Sequence, residues 1–418
     1  MNQKIETIII GGGQAGLATS YYLTQNGRKH IVLEKAAQAG NAWRNERWDS
    51  FTLVTPIWSF RLPGAEYQGN TPDGFMPRNE IVASFEQYIE RFHLPVQYGV
   101  QVSSVEQNPA GQGYLVRAGQ AVYETQNVVM ATGLFQRPKI PSFSADLSAG
   151  INQLHSSQYR SPQALPDGAV LVVGSAQSGC QIAEELYQSG RKVYLSVGSA
   201  GRGPRRYRGK DIYEWLELTG FLNRPVDKLP SPKAKFAGNP HVSGRNGGHS
   251  LNLHQFARDG VILLGRLQGA NQETIQLAPD LKENLAKTDG FEAQIANMID
   301  GFIAQTGMDA PPESLPVLRD GYEAAELAEL NLETAAITTI IWATGYSFNF
   351  SMVKLPIFDS DGYPQQNQGV TDAPGLFFVG LPWLAGQKSG LLLGVAEQAK
   401  VVANWISNTQ LDADMVKK

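Results

Sequence analysis

TIIIGGGQAGLATSYYL, residues 7–23, runs from a β-branched segment through spaced glycines into a stretch with helical character. The glycines stand at G-x-G-x-x-G spacing, which predicts the strand, tight turn and helix of a dinucleotide-binding unit. Gly11 makes the turn, Gly13 lets a pyrophosphate approach the backbone, and Gly16 lets the helix pack on the strand. The strand HIVLE closes the unit at Glu34, about 20 residues beyond the loop, where an acid commonly hydrogen-bonds a ribose hydroxyl.

VLVVGSAQSGCQIAEEL, residues 170–186, repeats this plan, with KVYLSV as the following strand. Its loop carries Gly174, Ala176 and Gly179 at the same spacing. The methyl group of Ala176 keeps the backbone slightly farther from a phosphate, although such loops still bind dinucleotides. The repeat therefore predicts a second nucleotide site.

No acid ends the second strand of this repeat; Ser199 and the basic run RGPRRYRGK, residues 202–210, follow it instead. A missing carboxylate with nearby arginines suits a 2′-phosphate. We therefore predict that this unit binds NADPH in preference to NADH, with Arg205 and Arg206 as leading contacts and Ser199 as a helper. A solvated basic surface loop is the alternative. The first unit, with its ribose acid, fits FAD.

Two Ala-Thr-Gly turns, in VVMATG (128–133) and IIWATG (340–345), bracket the second unit and offer points where the chain can cross between domains. The sequence therefore predicts an α/β fold with two dinucleotide-binding, Rossmann-like domains. We expect the NADPH domain, 161–329, to be inserted into a discontinuous FAD domain, 1–160 and 330–418. The part of the insertion beyond the nucleotide unit is expected to shape the substrate pocket.

Composition argues against several classes of function. The chain of 418 residues is 42% hydrophobic and 18% charged, and its net charge of -4 argues weakly against nucleic-acid binding. We see no apolar run of the ~20 residues that a membrane span requires, and no secretory signal. The single cysteine, Cys180, excludes an intrachain disulfide or CxxC pair, and we expect it to be a small buried filler. We expect a cytoplasmic protein with no membrane, nucleic-acid or metal partner, and the sequence leaves a homodimer open.

The chain resembles the flavin-containing monooxygenases, the group that includes the plant YUCCA enzymes and many bacterial homologues. The resemblance covers nearly the whole chain. It rests on both glycine loops, the two Ala-Thr-Gly turns, PGLFFVG, GNAWRNERWDSFTLVTP (40–56), FMPRNEIVASFEQYIERFHLPV (75–96) and HSSQY (155–159). The stretch GPRRYRGKDIYEWLELTGF further resembles a bacterial branch known only as NAD(P)/FAD-dependent oxidoreductases.

This resemblance implies an FAD-containing, NADPH-dependent monooxygenase. In that family NADPH reduces FAD and the reduced flavin captures oxygen as a C4a-hydroperoxide. The terminal oxygen then passes to a soft nitrogen or sulfur nucleophile or to a carbonyl carbon. The implied partners are a small-molecule substrate and molecular oxygen. Because the cofactor carries the hard chemistry, few side chains need to ionise.

A family signature, FxGxxxHxxxY in outline, is half present. His155 and Tyr159 match it, but Ala149 and Ile151 replace its Phe and Gly. Baeyer-Villiger relatives carry Trp at the last position, so Tyr159 disfavours that chemistry. His155 is a candidate acid or base, although a structural hydrogen-bonding role is the favoured interpretation. Animal-type members carry Asn before a Pro near the flavin, where this chain has Thr55, our candidate for the group that faces the flavin oxygen adduct.

Most predicted site residues are cofactor contacts. Trp43, Arg44 and Asp49 fall in the segment that, by resemblance, lies along the FAD, although Trp43 and Trp48 could equally be core residues. The predicted contacts are Gly11, Gly13, Gln14, Ala15, Gly16, Glu34, Lys35, Trp43, Arg44, Asp49, Thr55, Ala131, Thr132, Gly133, Gly174, Ala176, Gln177, Ser178, Gly179, Ser199, Arg205, Arg206, Thr344, Gly345, Gly380 and Leu391.

Three rival functions share these sequence features. A flavin disulfide reductase would have both loops, but the lack of a second cysteine argues strongly against it. An NADPH oxidase that releases hydrogen peroxide and a non-catalytic FAD/NADPH redox sensor both stay open. One observation separates them from a monooxygenase, namely whether a substrate raises NADPH consumption and suppresses peroxide release.

Overall fold

A computed structural model describes residues 3–229, 231, 235–236 and 240–415. Its α-helices are α1 (Gln14–Gln25), α2 (Asn41–Arg44), α3 (Arg78–Arg91), α4 (Gln177–Gln188), α5 (Ile212–Leu218), α6 (Leu253–Arg258), α7 (Leu281–Thr306) and α8 (Val395–Met415). Its strands are β1 (Gln3–Ile10), β2 (His30–Glu34), β3 (Val96–Tyr98), β4 (Val102–Gln107), β5 (Tyr114–Ala118), β6 (Ala121–Met130), β7 (Arg137–Pro138), β8 (Asn152–His155), β9 (Ala169–Val173), β10 (Val193–Ser196), β11 (Arg206–Tyr207), β12 (Lys210–Asp211), β13 (Val242–Ser243), β14 (His249–Ser250), β15 (Ile262–Leu264), β16 (Leu267–Asn271), β17 (Thr274–Leu277), β18 (Glu329–Asn331), β19 (Ile337–Trp342), β20 (Tyr346–Ser347), β21 (Gln366–Asn367), β22 (Val370–Thr371) and β23 (Leu376–Phe378).

The first sheet contains nine strands and carries the first glycine loop. Strands β23, β6, β1, β2 and β3 are parallel neighbours in that order. Strands β21 and β22 extend the sheet beyond β23, and β4 and β5 form an antiparallel extension next to β6. The central strands β1 and β6 are apolar and buried toward their carboxyl ends, and Ile8 and Ile9 of β1 are fully buried. Helices α1 and α8 pack together against one of these faces.

The second sheet contains five parallel strands in the order β15-β10-β9-β19-β8 and carries the second glycine loop. All five come between β6 and β21 in the chain, so this sheet is inserted between strands of the first. Strand β8 precedes residue 161 and strand β19 follows residue 329, so both lie outside the limits expected for the NADPH domain. Both belong to the second sheet, because β19 pairs with β8 and with β9. The second sheet therefore runs from Asn152 to Trp342, and with these limits the two-domain division remains our proposal.

The two segments that connect the sheets lie side by side. Strand β7 follows the first Ala-Thr-Gly turn and β20 follows the second, and the two strands pair antiparallel, with Tyr346 opposite Pro138. The Lys139 N–H also donates to the carbonyl of Gly345 at 2.9 Å. The two segments that connect the sheets are thus hydrogen-bonded to each other.

Helix α7 runs along the segment that follows β10. The side-chain amide of Asn284 donates to the carbonyl of Val197 at 3.2 Å, and the hydroxyl of Thr288 donates to the carbonyl of Ala200 at 3.1 Å. The helix ends at Gly307, which adopts the left-handed conformation typical of a helix C-terminus. Among the described residues, no helix combines the length and apolar character needed to cross a membrane.

Candidate dinucleotide-binding sites

The three glycines of the first loop meet three different requirements. Gly11 has φ +110°, and a Cβ there would stand 2.4 Å from the backbone oxygen of Ala131. A Cβ on Gly16 would stand 1.9 Å from the backbone oxygen of Gly11, so α1 packs on the loop with no room for a methyl group. Gly13 is exposed, and a Cβ there would meet nothing within 4 Å. The open surface over Gly13 is a cradle that fits a pyrophosphate.

The start of α1 and the end of β2 meet at this cradle. Gly13 is the N-cap of α1 and supplies no side-chain cap, so the N–H groups of the first turn are available to an anion. The carboxylate of Glu34 accepts from the Gly12 N–H at 2.6 Å and from the Ala36 N–H at 2.8 Å. These bonds fix the predicted ribose acid beside the glycine loop, whereas Lys35 is exposed.

Each Ala-Thr-Gly turn packs directly against one glycine loop. The Ala131 N–H donates to the Ile10 carbonyl at 2.9 Å, and the Ala343 N–H donates to the Val173 carbonyl at the same distance. The backbone oxygen of Ala343 would stand 2.6 Å from a Cβ on Gly174, just as that of Ala131 lies close to the first loop. The turns thus sit at the carboxyl ends of parallel strands, where ligands bind in open α/β sheets.

The remaining residues of the two turns shape their backbone. Gly133 has φ +73° and Gly345 has φ +78°, a conformation that favours glycine. The hydroxyl of Thr132 accepts from the side-chain amide of Gln136 at 3.0 Å, and the hydroxyl of Thr344 donates to a backbone carbonyl. Both threonine hydroxyls therefore have partners within the protein.

The C-terminal segment reaches the first turn of α1. Gly380 has φ +74°, and a Cβ there would stand 2.6 Å from the Cβ of Ala15. The side-chain amide of Gln14 donates to the carbonyl of Leu392 at 2.8 Å, next to the partly buried Leu391. Five of the predicted contacts thus come together here: Gly13, Gln14, Ala15, Gly380 and Leu391.

The second loop has the same backbone as the first. Ala176 is the N-cap of α4 with φ -80° and ψ -170°, and Gly13 has φ -80° and ψ -176°. A Cβ on Gly179 would stand 1.8 Å from the backbone oxygen of Gly174, which repeats the close packing of the first loop. The methyl group of Ala176 is therefore the main difference between two matching anion cradles.

The first turn of α4 is partly committed to a neighbouring strand. The side-chain amide of Gln177 donates to the Val242 carbonyl at 2.7 Å and accepts from the Val242 N–H at 3.2 Å. Ser178 is partly buried, and Ser199 is exposed after β10. Gln177 thus positions strand β13 beside the loop, and only its backbone remains available to a ligand.

Four of the five cations of the basic run after β10 form ion pairs within the protein. Arg205 is 2% exposed, pairs with the carboxylate of Asp211 and donates to the Val54 carbonyl at 2.6 Å. This placement corrects its predicted role, because a buried guanidinium that is already bound has no free fork for a phosphate. Arg206 is exposed and donates to the carbonyl of Gly248 at 3.1 Å. The run's other cations form ion pairs as well: Arg202 with Asp289 and Glu292, Arg208 with Asp300, and Lys210 with Glu214.

The segment 40–56 lies between the first sheet and α3. Trp48 is 2% exposed and packs edge-on against Phe51, with ring centroids 5.1 Å apart, so this tryptophan belongs to the core. Trp43 is only partly buried. Arg44 and Asp49 form ion pairs with side chains of α3 at 2.6 and 3.2 Å. Their charged groups therefore hold the segment in place.

A buried oxygen atom tests whether the first site fits FAD. The Oε1 atom of Gln14, in the first turn of α1, has no hydrogen-bond partner among the described residues, and Gln14 is 9% exposed. Buried polar atoms without a partner are uncommon in proteins and call for a ligand or a water molecule. Together with the cradle over Gly13, this oxygen fits a bound polar cofactor. The hydroxyl of Thr55 is likewise buried without a partner among the described residues, and Thr55 stays a proposed contact.

His155 holds the second turn in place. Its Nε2 lies 3.1 Å from the carbonyl of Gly345, and its Nδ1 lies 3.0 Å from the hydroxyl of Ser157 and accepts from the Ser157 N–H. Its ring packs edge-on against Tyr346, and burial lowers its pKa. Both ring nitrogens are therefore engaged in a neutral ring, which supports the structural interpretation over a role as acid or base.

Tyr159 connects three segments of the chain. It is fully buried and its hydroxyl donates to Glu185 of α4 at 3.0 Å, while the hydroxyl of Ser50 donates to the other carboxylate oxygen at 2.5 Å. Burial raises the pKa of Tyr159, so it stays a hydrogen-bond donor. The half-present signature thus contributes a link between α4 and the segment 40–56.

Sequence reasoning missed Arg47. Its guanidinium lies over the rings of Trp43 at 5.4 Å and Phe135 at 5.0 Å, and Phe135 contacts Tyr346 at 5.0 Å between centroids. Burial lowers the pKa of Arg47. Since Phe135 and Tyr346 follow the two Ala-Thr-Gly turns, this cation ties the segment 40–56 to both of them. Phe135 and Tyr346 are too distant from Arg47 in sequence for a local signal to reveal this link.

Cys180 is a buried structural residue. It is fully buried on α4, and its thiol donates to the carbonyl of Ser175 at 3.0 Å. Burial raises the pKa of the thiol, which disfavours the reactive thiolate. This arrangement matches the expected small filler.

Comparisons with known proteins match the chain along its whole length. A family model described as pyridine nucleotide-disulphide oxidoreductase matches residues 8–217. An uncharacterized oxidoreductase, CzcO-like, of Geobacillus kaustophilus is 32% identical over 98% of this chain and 100% of its own. The probable indole-3-pyruvate monooxygenase YUCCA10 of Arabidopsis thaliana is 29% identical over 54% of this chain and 60% of its own. A solved flavin-containing monooxygenase of Stenotrophomonas maltophilia shares the fold, with a TM-score of 0.65, 20% identity, and 97% of this chain and 99% of that chain covered.

Proposed function

The chain belongs to the pyridine nucleotide-disulphide oxidoreductase family, and on that premise we propose that it is a flavin-containing monooxygenase that uses NADPH and FAD to oxygenate a small organic molecule. It is a flavoprotein oxidoreductase with two nucleotide cofactors. We propose that the substrate offers a soft nitrogen or sulfur nucleophile or a carbonyl carbon. The name of the YUCCA relative supports the last option, because indole-3-pyruvate carries a keto group.

The observation that carries this proposal is the pair of matching glycine loops. Each loop lies at the carboxyl end of a parallel sheet, each starts a helix without a side-chain cap, and each rests on an Ala-Thr-Gly turn. The whole sequence contains one cysteine, Cys180, and its thiol is buried. Two nucleotide cradles without a redox cysteine pair favour a flavoprotein that passes electrons to oxygen over one that reduces disulfides.

In this proposal the chain positions the cofactors. The surface over Gly13 and the first-turn N–H groups of α1 bind the FAD pyrophosphate, and Glu34 accepts from a ribose hydroxyl. Gln14 and Thr55 offer buried acceptor oxygens to the same cofactor. The loop at Ala176 binds the pyrophosphate of NADPH. Bound FAD supplies the redox chemistry and the activation of oxygen, and the buried segments around it exclude water.

Anaerobic reduction tests this proposal. Purified protein should contain FAD, and NADPH added without oxygen should bleach the flavin absorbance with a stoichiometry of one NADPH per flavin. Admitting oxygen should restore the oxidised spectrum. Protein that holds FAD but is not reduced by either NADPH or NADH would contradict the proposal and favour a binding or sensing role.

A further inference from the structure

The contact that would distinguish NADPH from NADH has to lie near the end of β10. In a dinucleotide-binding unit, the residue after the second strand meets the adenosine ribose. Here that position is Val197, which is fully buried, and it is followed by Gly198, whose N–H donates to the hydroxyl of Ser175 at 3.0 Å. Gly198 has no side chain, Ser199 carries no charge, and Arg205 is bound to Asp211 inside the protein. Arg206 is exposed, but its guanidinium donates to the carbonyls of Gly247 and Gly248. A cation from a different segment is therefore considered.

A cation, Arg266, lies in the loop that follows the neighbouring strand β15. In the parallel pair of β10 and β15, Ser196 stands opposite Leu264, and the Val197 N–H donates to the Leu264 carbonyl at 2.9 Å. Beyond this register the chain turns, because Gly265 and Leu267, on either side of Arg266, both bond the side chain of Ser196, the last residue of β10. The backbone of Arg266 thus lies beside the end of β10.

Further hydrogen bonds fix the backbone around Arg266 to β10. The hydroxyl of Ser196 donates to the carbonyl of Gly265 at 3.0 Å and accepts from the Leu267 N–H at 3.2 Å. These bonds hold both sides of Arg266 against the end of β10. A Cβ on Gly265 would stand 1.9 Å from the carbonyl oxygen of Ala278, so this turn is closely packed. The backbone of Arg266 is therefore held beside the end of β10.

The side chain of Arg266 is oriented but still accessible. Asp280, the N-cap of α7, accepts from the Arg266 backbone N–H at 2.9 Å and from its Nε at 2.5 Å. The carboxylate of Asp280 is 12% exposed, whereas the side chain of Arg266 is 63% exposed. Asp280 thus binds the guanidinium at Nε, while most of the side chain stays exposed to solvent.

We propose that Arg266, oriented by Asp280, binds the 2′-phosphate of NADPH and sets the preference for NADPH over NADH. The inference rests on the proposed function and names a residue that determines its coenzyme specificity. An arginine fork matches the geometry of a phosphate, and charge-assisted hydrogen bonds of this kind are among the strong ones. The serine at 199 can add a neutral hydrogen bond to the same group.

Binding of adenosine fragments tests the assignment without the redox reaction. We would measure the affinity of the FAD-loaded protein for 2′,5′-ADP and for 5′-AMP by calorimetry. In Arg266→Gln, the affinity for 2′,5′-ADP should fall about 10-fold to 100-fold, while that for 5′-AMP should stay within about twofold. Arg258→Gln is the matched control, because Arg258 is also a partly exposed arginine of this domain paired with an aspartate, Asp320, and should change neither affinity.

The outcomes separate this inference from the proposed function. Equal weakening of both fragments in Arg266→Gln, or no weakening of either, would overturn the assignment. If Arg266→Gln fails to fold, Arg266→Lys keeps the charge but loses the fork, and should bind 2′,5′-ADP several-fold more weakly with 5′-AMP unchanged. Protein that binds 2′,5′-ADP through Arg266 but never oxidises NADPH would keep this inference and overturn the proposed function.

Discussion

Replacing Gly13 with valine should remove FAD binding while leaving the fold intact. Gly13 has φ -80° and ψ -176°, an extended conformation that any residue adopts, and a Cβ there would meet nothing within 4 Å. The second loop already carries a methyl group in this conformation at Ala176. A side chain at residue 13 therefore occupies only the space that the cradle leaves for a pyrophosphate.

The expected magnitudes differ widely between folding and binding. Losing glycine as the N-cap of α1 should cost about 1 kcal/mol of folding free energy or less. Displacing the pyrophosphate should remove one or two charge-assisted hydrogen bonds, each contributing about 1.5–3 kcal/mol. Loss of two bonds would weaken FAD binding by roughly 10² to 10⁴-fold, since each 1.4 kcal/mol is about tenfold.

Two measurements on Gly13→Val check this prediction. Flavin absorbance per protein should fall to near zero, and added FAD should no longer raise the thermal unfolding temperature as it does in the wild type. Gly111→Val is the matched control, because Gly111 is likewise exposed with nothing within 4 Å but lies in a turn between β4 and β5, away from the loop. A Gly13→Val protein with full FAD content would refute the reasoning.

Three further substitutions probe the packing and charge around the sites. Gly16→Ala should destabilise the apoprotein by about 3 kcal/mol, because the new methyl group collides with the loop backbone, and urea unfolding would measure this. Arg205→Ala leaves Asp211 buried without its partner, so urea unfolding should show a loss of about 3–5 kcal/mol while the ratio of NADPH to NADH affinity stays unchanged. The hydrogen bond to Glu184 raises the pKa of His249, so the pair stabilises the fold below about pH 6.5 and loses this effect as pH rises through the raised pKa. His249→Gln should therefore lower the urea midpoint more at pH 6 than at pH 9, and an equal loss at both would exclude this linkage.

The glycine loops could be predicted because each is a local structure. The turn at Gly11, the open surface at Gly13 and the close packing at Gly16 all follow from the spacing of residues within one strand, turn and helix. The same holds for the second loop. A short sequence window contains most of the physical cause, and only the close contacts of Gly11 with Ala131 and of Gly174 with Ala343 come from distant turns.

The parts that sequence did not predict depend on contacts between distant segments. Because β8 pairs with β19, the second sheet extends beyond the limits of 161–329 that the sequence predicted. Arg205 is committed partly by the carbonyl of Val54, a residue far from it in the chain. The cradle at Gln14 is completed by Leu392 from the other end of the chain. No local pattern of charge or spacing encodes such partners, because they depend on how the two sheets meet.

The basic run shows how composition can mislead. Its arginines suggested a phosphate site, but the protein pairs Arg202, Arg205 and Arg208 with carboxylates and bonds Arg206 to backbone carbonyls. A run of basic residues in the sequence predicts where the cations lie, but it does not show whether their side chains are available to a ligand. Their availability depends on acidic residues of α5, α7 and nearby loops that fold against the run.

The coupling of NADPH oxidation to oxygen transfer is the most direct test of the central claim. FAD-loaded protein would be given NADPH and ¹⁸O₂ with a panel of amines, thioethers and ketones, and NADPH consumption, hydrogen peroxide and products would be measured together. We predict that at least one compound raises NADPH consumption, suppresses peroxide release and gains one ¹⁸O atom. Peroxide formed in equal amount to NADPH consumed with every compound, and no oxygenated product, would contradict the account and identify the protein as an oxidase.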